Sequence, residues 1–172
     1  VGGRLTDNIE SVIETQSGSI IVGGKFRSSS IQVGDNTLTN SRGGFPDGML
    51  IIYSSTGEVE WARNVGGSDF DEINSLAPTS DGGYIVGGLF RSGSIQVGDY
   101  TLTNSESDYW DGMVIKYSAS GEVEWARSVG GNDDDYIQSI VPTSDGGYVS
   151  GGYLSSSEIQ VGEYTLTNSN KD

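Results

Sequence analysis

The 172-residue sequence contains no cysteine and no histidine. Without cysteine there is no disulfide and no thiolate nucleophile, and without either residue there is no Cys/His zinc site and no Ser-His-Asp relay. No apolar run approaches the roughly 18 residues that a membrane-spanning helix needs, so we expect no membrane insertion. These absences remove the common catalytic machineries, and we expect a protein that is not an enzyme.

Basic residues are also scarce, since nine Lys and Arg stand against 24 Asp and Glu and the formal net charge is −15. A protein with this charge repels phosphate backbones and anionic lipid headgroups, so nucleic acid is excluded as a partner. Cations, cationic ligands and neutral sugars are the partners that the overall charge favours.

What the sequence does contain is a gapless repeat of 64 residues. Val1-Gly2-Gly3 recurs at 65–67 and 129–131, and residues 1–64 and 65–128 are identical at 39 positions. An internal period of this kind indicates one supersecondary unit per repeat. We therefore divide the chain into repeat unit 1–64, repeat unit 65–128 and a partial unit 129–172, which form one continuous array.

Each unit has an all-β pattern, which is clearest in the second unit. Alternation predicts that Ile73, Ser75 and Ala77 share one face of the first strand. The Gly87-Gly88 pair indicates either a β-bulge or a close approach by a neighbouring backbone. No segment shows the 3.6-residue period of a helix. The predicted strands are 71–79, 84–90, a small hairpin of 95–97 and 100–103, 111–118, and 122–128.

Four antiparallel strands joined by hairpins describe one blade of a β-propeller. Asp-Gly-Gly-Tyr-Ile-Val-Gly-Gly at 81–88, Val-Gly-Asp-Tyr-Thr-Leu-Thr-Asn at 97–104 and Gly-Glu-Val-Glu-Trp-Ala-Arg-Ser-Val-Gly-Gly at 121–131 together resemble the bacterial β-propeller repeats of secreted and cell-surface proteins, sometimes called SBBP-type repeats. The resemblance implies a propeller fold and an extracellular setting. The expected fold class is thus all-β, with propeller-type blades of four antiparallel strands plus an extra hairpin in each 64-residue repeat.

A propeller ring takes about four to eight blades, so one copy of this chain supplies an incomplete ring. Because the chain begins at Val1 and not at Met, we expect either a removed leader or a piece of a longer array. The turn at 79–83 (Thr-Ser-Asp-Gly-Gly) and its copy at 143–147 also resemble the Asp-box turn of sialidase-like propellers, although Ser17 replaces the aspartate in the first unit. This second resemblance implies a structural turn and no activity.

Carboxylates gather in the loop that joins one unit to the next. Asp69 and Asp71 follow a Gly-Gly pair, and Asp133 and Asp135 follow its next copy. Carboxylates in a glycine-rich loop can coordinate Ca²⁺, although no Asp-x-Asp-x-Asp-Gly loop with a distal Glu is present. The alternative is that these residues cap turns and keep the surface soluble.

A second loop varies between identical flanks. Arg42-Gly43-Gly44-Phe45-Pro46 becomes Glu106-Ser107-Asp108-Tyr109-Trp110 in the next unit. In a propeller this loop opens on the same rim as the carboxylate loop, so both converge on one surface. The alternative is drift in a loop that tolerates any residue, with Trp110 folded back on its neighbour. The candidate ligand-binding residues, for a carbohydrate or a protein, are Arg42, Phe45, Asp108, Tyr109 and Trp110.

Aromatic and branched side chains in the strands are expected to pack adjacent sheets face to face. Arg63 and Arg127 lie beside the tryptophans and are expected to pair with local acids. The packing residues are Trp61/Trp125, Ile21/Ile85, Val22/Val86 and Tyr53/Tyr117.

These patterns favour a non-catalytic extracellular bacterial repeat module for ligand binding or adhesion at the cell surface. One alternative is a structural subunit that self-assembles into a surface filament or layer, because open β edges invite pairing with another chain. A weaker alternative is a glycosidase-like propeller. The alternating Glu58 and Glu60, with their copies Glu122 and Glu124, fit a solvent-facing strand better than a catalytic carboxylate pair.

Overall fold

The computed structural model describes residues 2–161 and 164–169. This part of the chain contains 16 β-strands and no helix, which confirms the predicted all-β class, and it accordingly holds no helix long and apolar enough to cross a membrane. The strands are β1 (Asp7–Glu14), β2 (Ile20–Phe26), β3 (Ser30–Val33), β4 (Asn36–Thr39), β5 (Asp47–Tyr53), β6 (Val59–Val65), β7 (Asp71–Pro78), β8 (Tyr84–Phe90), β9 (Ser94–Val97), β10 (Tyr100–Thr103), β11 (Asp111–Tyr117), β12 (Val123–Val129), β13 (Asp135–Pro142), β14 (Tyr148–Leu154), β15 (Glu158–Val161) and β16 (Tyr164–Thr167).

The 64-residue period of the sequence is also the period of the structure. The first unit forms a four-stranded antiparallel sheet of order β1-β2-β5-β6, and the second unit repeats it as β7-β8-β11-β12. In the third unit β13 pairs with β14. A separate two-stranded hairpin follows the second strand of every unit, as β3–β4, β9–β10 and β15–β16.

A β-bulge interrupts the first strand of every unit. In β7 the pairing with β8 shifts between Ile73 and Ser75, so that Asn74 has no partner in the ladder. An extra residue moves the side chains that follow it to the opposite face. The prediction that Ile73 and Ala77 share a face was therefore wrong, because Ile73 packs toward the first sheet and Ala77 toward the third unit.

The Gly87-Gly88 pair both accommodates a β-bulge and allows a close approach by a neighbouring unit, the two alternatives that the sequence left open. A Cβ at Gly88 would overlap the carbonyl oxygen of Glu72, in the strand that carries the bulge. A Cβ at Gly87 would lie 2.5 Å from Cδ1 of Ile140 and 2.8 Å from Cγ2 of Ile137. The second glycine thus admits the bulge, and the first opens the sheet face to the next unit.

The first and second sheets pack against each other through one buried cluster, which includes Ile21, Ile52, Val86 and Tyr117. The residues predicted to pack the sheets do lie in buried clusters or against them. However, the two members of each predicted pair lie in different clusters, because equivalent positions do not face the same neighbour. Val22 points to the other face of the first sheet, and Ile85 packs on the third unit with Ile137. Each sheet therefore presents one face to the preceding unit and the opposite face to the following unit.

The first strands of successive units are neighbours and are joined by a repeated hydrogen bond. The backbone N–H of Leu76 donates to Oγ of Ser11 at 3.1 Å, and the N–H of Ile140 donates to Oγ of Ser75 at 3.0 Å. Both N–H groups lie just after a bulge, where the ladder is disturbed. A serine in one unit thus satisfies the backbone of the next unit.

The extra hairpin is part of the core. In the second unit Ile95, Val97 and Leu102 are at most 4 % exposed and join the cluster between the first and second sheets. In addition, the hydroxyl of Tyr100 donates to the carbonyl oxygen of Glu124 in β12. Of the long excursion between the second and third strands, only the tip that follows the hairpin stands away from the core.

Candidate ligand-binding rim

An aspartate at the start of each first strand holds the loop that precedes the strand, and it is buried in the second and third units. Asp71 is fully buried and accepts hydrogen bonds from Oγ of Ser92 at 2.7 Å and from the N–H of Gly67 at 2.8 Å. Burial raises the pKa of Asp71 to about 6, against the opposing effect of these hydrogen bonds. Asp7 and Asp135 make the matching bonds in their own units.

A second buried aspartate and an asparagine fix the base of the variable tip. Asp111 accepts from both the N–H and the hydroxyl of Ser105, at 2.8 and 2.9 Å, and burial raises its pKa. The side-chain amide of Asn104 donates to the carbonyl oxygens of Phe90 and Tyr109, both at 3.0 Å. The first unit repeats this arrangement with Asp47, Ser41 and Asn40.

The tip of the first unit stands above that fixed base. Phe45 is 38 % exposed, and the guanidinium carbon of Arg91 lies 5.6 Å from its ring centroid. Arg42 is exposed and donates from Nη1 to the carbonyl oxygen of Ser68 at 3.1 Å. Both candidate residues of this tip are therefore accessible to a ligand.

The three candidate residues in the tip of the second unit differ in their exposure to solvent. Asp108 is exposed and Tyr109 is 39 % exposed. Trp110 is only half-buried, and its ring lies 6.0 Å from that of Phe70. This arrangement is the folded-back alternative for Trp110 and leaves Tyr109 as the accessible aromatic residue.

The tip and the following inter-unit loop meet on one rim. The N–H of Asp71 donates to the carbonyl oxygen of Pro46 at 2.9 Å, and the N–H of Asp135 donates to that of Trp110. The hydrogen bond from Arg42 to Ser68 spans the same gap. The two loops that the sequence singled out thus form a continuous surface at each junction between units.

The four carboxylates proposed for Ca²⁺ do not assemble into one ligand set. Asp69 forms an ion pair with Arg91 at 2.7 Å, whereas Asp71 and Asp135 are buried anchors of their loops. Oδ1 of Asp133 accepts from the N–H of Asp134 at 2.7 Å. Across residues 2–161 and 164–169, no group of three or more carboxylates could hold a metal ion. Their arrangement is that of turn and loop anchors.

The tryptophans pack as expected, but in the described part of the chain the neighbouring arginines form no ion pair with an acid. Trp61 lies 6.4 Å from the ring of Tyr117, and Trp125 lies 5.9 Å from that of Tyr148. Arg63 stacks 4.4 Å over Trp61 and donates to the carbonyl oxygen of Gly121 at 2.9 Å. Arg127 likewise donates to a backbone carbonyl. A flat guanidinium beside an indole ring gains more from stacking there than from a solvated carboxylate.

A cleft at the junction of the first two units was missed in the sequence. It has a volume of about 340 Å³ and combines basic with aromatic residues. The signal was the difference between units at aligned positions, because Lys25 and Phe70 correspond to Leu89 and Asp134. The cleft is lined by Thr6, Lys25, Arg27, Gly44, Phe45, Pro46 and Phe70.

Comparison with known proteins gives one curated relative. The regulatory protein FlaEY of Caulobacter vibrioides is 33 % identical to this chain over 110 residues. The match covers 63 % of this chain but only 12 % of FlaEY, so the chain corresponds to a small part of that protein. No protein-family profile matches the chain.

Proposed function

We propose that the chain is a non-catalytic, extracellular repeat module that binds a ligand or adheres at a bacterial cell surface. The observation that carries the proposal is an exposed, variable tip on an invariant, hydrogen-bonded base. Asn40 and Asp47 hold one tip as Asn104 and Asp111 hold the other, while the residues between them differ. Loops that vary on a rigid scaffold are the usual place for recognition.

The architecture proposed for the module is a β-propeller whose blades are the 64-residue units, as in SBBP-type repeats. Three features support it: four-stranded antiparallel sheets in sequence order, first strands that are neighbours, and sheets that pack face to face. In such a fold the inter-unit loops and the variable tips share one rim. The backbone hydrogen bonds from Asp71 to Pro46 and from Asp135 to Trp110 join these two loops and support the proposal.

The test is binding of the intact chain to a panel of bacterial and host glycans and surface proteins. Phe45→Ala and Tyr109→Ala each remove an exposed aromatic anchor, and the variant at the contacted tip should bind at least about tenfold more weakly. Tyr164→Ala is the matched control, because Tyr164 is 77 % exposed and lies in the hairpin of the third unit. A panel that yields no ligand, or a loss that the control reproduces, would overturn the proposal.

A second candidate function, self-assembly into a filament or layer, is favoured by two faces, one in the first unit and one in the third, that match the two sides of the internal junctions. Ile73 and Leu76 pack onto Gly23, and Ile137 and Ile140 pack onto Gly87. The third glycine of this series, Gly151, has nothing within 4 Å of its Cβ position. The same chain therefore presents an open acceptor face for such a pair of side chains.

The matching donor pair is exposed in the first unit, where Ile9 and Val12 are 46 % and 57 % exposed. In a self-assembling subunit, this pair of one copy packs on the Gly151 face of another copy and repeats the internal junction. Such head-to-tail contacts generate open-ended assemblies unless they close. Light scattering separates the two functions, because a mass that grows with concentration supports assembly and a single discrete species supports the binding module.

A further inference from the structure

The cleft between the first and second units carries an unusual share of the protein's positive charge. Two of the protein's nine Lys and Arg residues, Lys25 and Arg27, line the cleft, although the whole chain has a net charge of −15. Two more lie beside it, since Arg91 is 5.6 Å from the centroid of the Phe45 ring and Arg42 donates to the carbonyl oxygen of Ser68. Two of these four are already paired, since Lys25 lies 2.7 Å from Glu72 and Arg91 lies 2.7 Å from Asp69. The site is therefore a local exception to the acidic surface.

The other two basic residues, Arg27 and Arg42, are exposed, and in the described part of the chain their guanidinium groups donate to backbone carbonyls. Nε of Arg27 donates to Gly44 at 2.8 Å, and Nη1 of Arg42 donates to Ser68 at 3.1 Å. Neither takes part in an ion pair in the described part of the chain. These bonds fix one side of each guanidinium and leave its charge uncompensated by a carboxylate, which suits it to bind an anion.

The next junction shows that the scaffold does not require this charge. Arg27 is matched by Arg91, but Arg42 and Gly44 are replaced by the acids Glu106 and Asp108. The basic Lys25 becomes Leu89, and the aromatic Phe70 becomes Asp134. Both junctions keep aromatic residues at the tip, Phe45 at the first and Tyr109 with Trp110 at the second, so the difference between them is the charge, which is basic at the first junction and acidic at the second.

The residues of the cleft indicate a ligand that has an apolar ring face and a negative charge. The exposed ring of Phe45 suits the C–H face of a sugar, and the guanidinium groups suit a carboxylate. The ring of Phe70 lines the cleft but is already in contact with Lys25 and Trp110. A volume of about 340 Å³ lies at the lower end of the range for small-ligand sites. An acidic peptide supplies the carboxylate but no ring to cover Phe45.

We propose that this cleft binds a carboxylate-bearing sugar, such as a uronic acid residue of an acidic polysaccharide, with Arg27 and Arg42 holding the carboxylate and Phe45 packing against the ring. The inference rests on the proposed binding function and gives its first site a ligand class. The second junction, with its acidic tip, has a different ligand or none.

The experiment is calorimetric titration of the intact chain with trigalacturonate at 50 and 200 mM NaCl. We expect saturable binding that weakens several-fold at the higher salt, because exposed charge pairs are screened. Arg27→Gln should weaken binding about tenfold, and Arg42→Glu, which installs the residue of the second unit, should abolish it. Arg127→Gln is the control, since it makes the same charge change on an exposed side chain of β12 and should leave the affinity within about twofold.

Two further probes decide the ligand class. Fully methyl-esterified trigalacturonate keeps the ring but loses the charge, and equal binding of this ester would overturn the carboxylate assignment. Tetraglutamate keeps the charge but has no sugar ring, and binding as tight as that of trigalacturonate would overturn the sugar assignment. Unchanged affinity in both arginine variants, with melting temperatures like that of the parent chain, would overturn the site.

Failure here is distinguishable from failure of the proposed function. If trigalacturonate does not bind but another glycan does, and Tyr109→Ala weakens that binding, the cleft proposal fails and the binding module stands. If no member of the panel binds the intact chain, both proposals fail.

Discussion

Replacing Gly88 with alanine should strongly destabilise the fold. The new Cβ would overlap the carbonyl oxygen of Glu72 and lie 2.9 Å from Cε of Met113. The oxygen belongs to the backbone of β7 beside its bulge, so the two strands must separate to make room. We expect a loss of about 3 kcal/mol in the free energy of unfolding.

Thermal unfolding followed by circular dichroism measures this loss, which corresponds to a fall of about 6–12 °C in Tm for a chain of this length. Gly93→Ala is the control. Gly93 has nothing within 4 Å of its Cβ position and lies in the loop before β9, so its variant should keep the parent Tm to within a degree or two. Equal Tm values for the two variants would show that the strand at Glu72 can move away from the new methyl group without loss of stability.

The second large effect should come from a matched pair of valine substitutions at equivalent positions. Gly87→Val places a branched side chain against Ile137 and Ile140 and should push the third unit away from the second sheet, at a cost of about 2 kcal/mol or more. Gly151→Val adds the same atoms where nothing lies within 4 Å, so the stability should change by less than about 0.5 kcal/mol.

Urea titration of both variants, at protein concentrations where the chain is monomeric, measures this difference. The pair also tests end-to-end assembly, because a valine at Gly151 fills the acceptor face and should suppress any concentration-dependent growth in mass. A Gly151→Val variant that unfolds as readily as Gly87→Val would show that this face is already packed against something. Growth that Gly151→Val leaves intact would show that assembly uses another surface.

The strands could be predicted from the sequence because their signals are local. Turn glycines and alternating apolar residues placed the six strands of the second unit to within about one residue of β7 to β12. The faces were harder to predict, because a single inserted residue at Asn74 reverses every position that follows it in β7. The alternation of apolar and polar residues does not reveal such an insertion. The Gly87-Gly88 pair was the one local hint of it.

The candidate rim could be predicted only in outline. The variation between Arg42–Pro46 and Glu106–Trp110 located both tips, since it stands out against identical flanks. The role of Asp71 stayed open between a cation ligand and a turn cap, because a carboxylate in a glycine-rich loop has the same sequence pattern whether it holds a cation or accepts backbone hydrogen bonds. Lys25 in β2 and Arg27 just after it were missed, because residues so far from the tip in the sequence reach it only through the fold.

The serine hydrogen bond between first strands has the same polarity at both junctions. In each junction the acceptor, Ser11 or Ser75, lies in the unit that precedes the donor N–H of Leu76 or Ile140. A ribosome makes the chain from its amino terminus, and segments made early can fold before later ones emerge. If each unit folds as it is synthesised, the next unit meets an acceptor serine and a glycine face that are already formed. The polarity of this hydrogen bond matches the order of synthesis, because each unit supplies the acceptor for the backbone of the unit made after it.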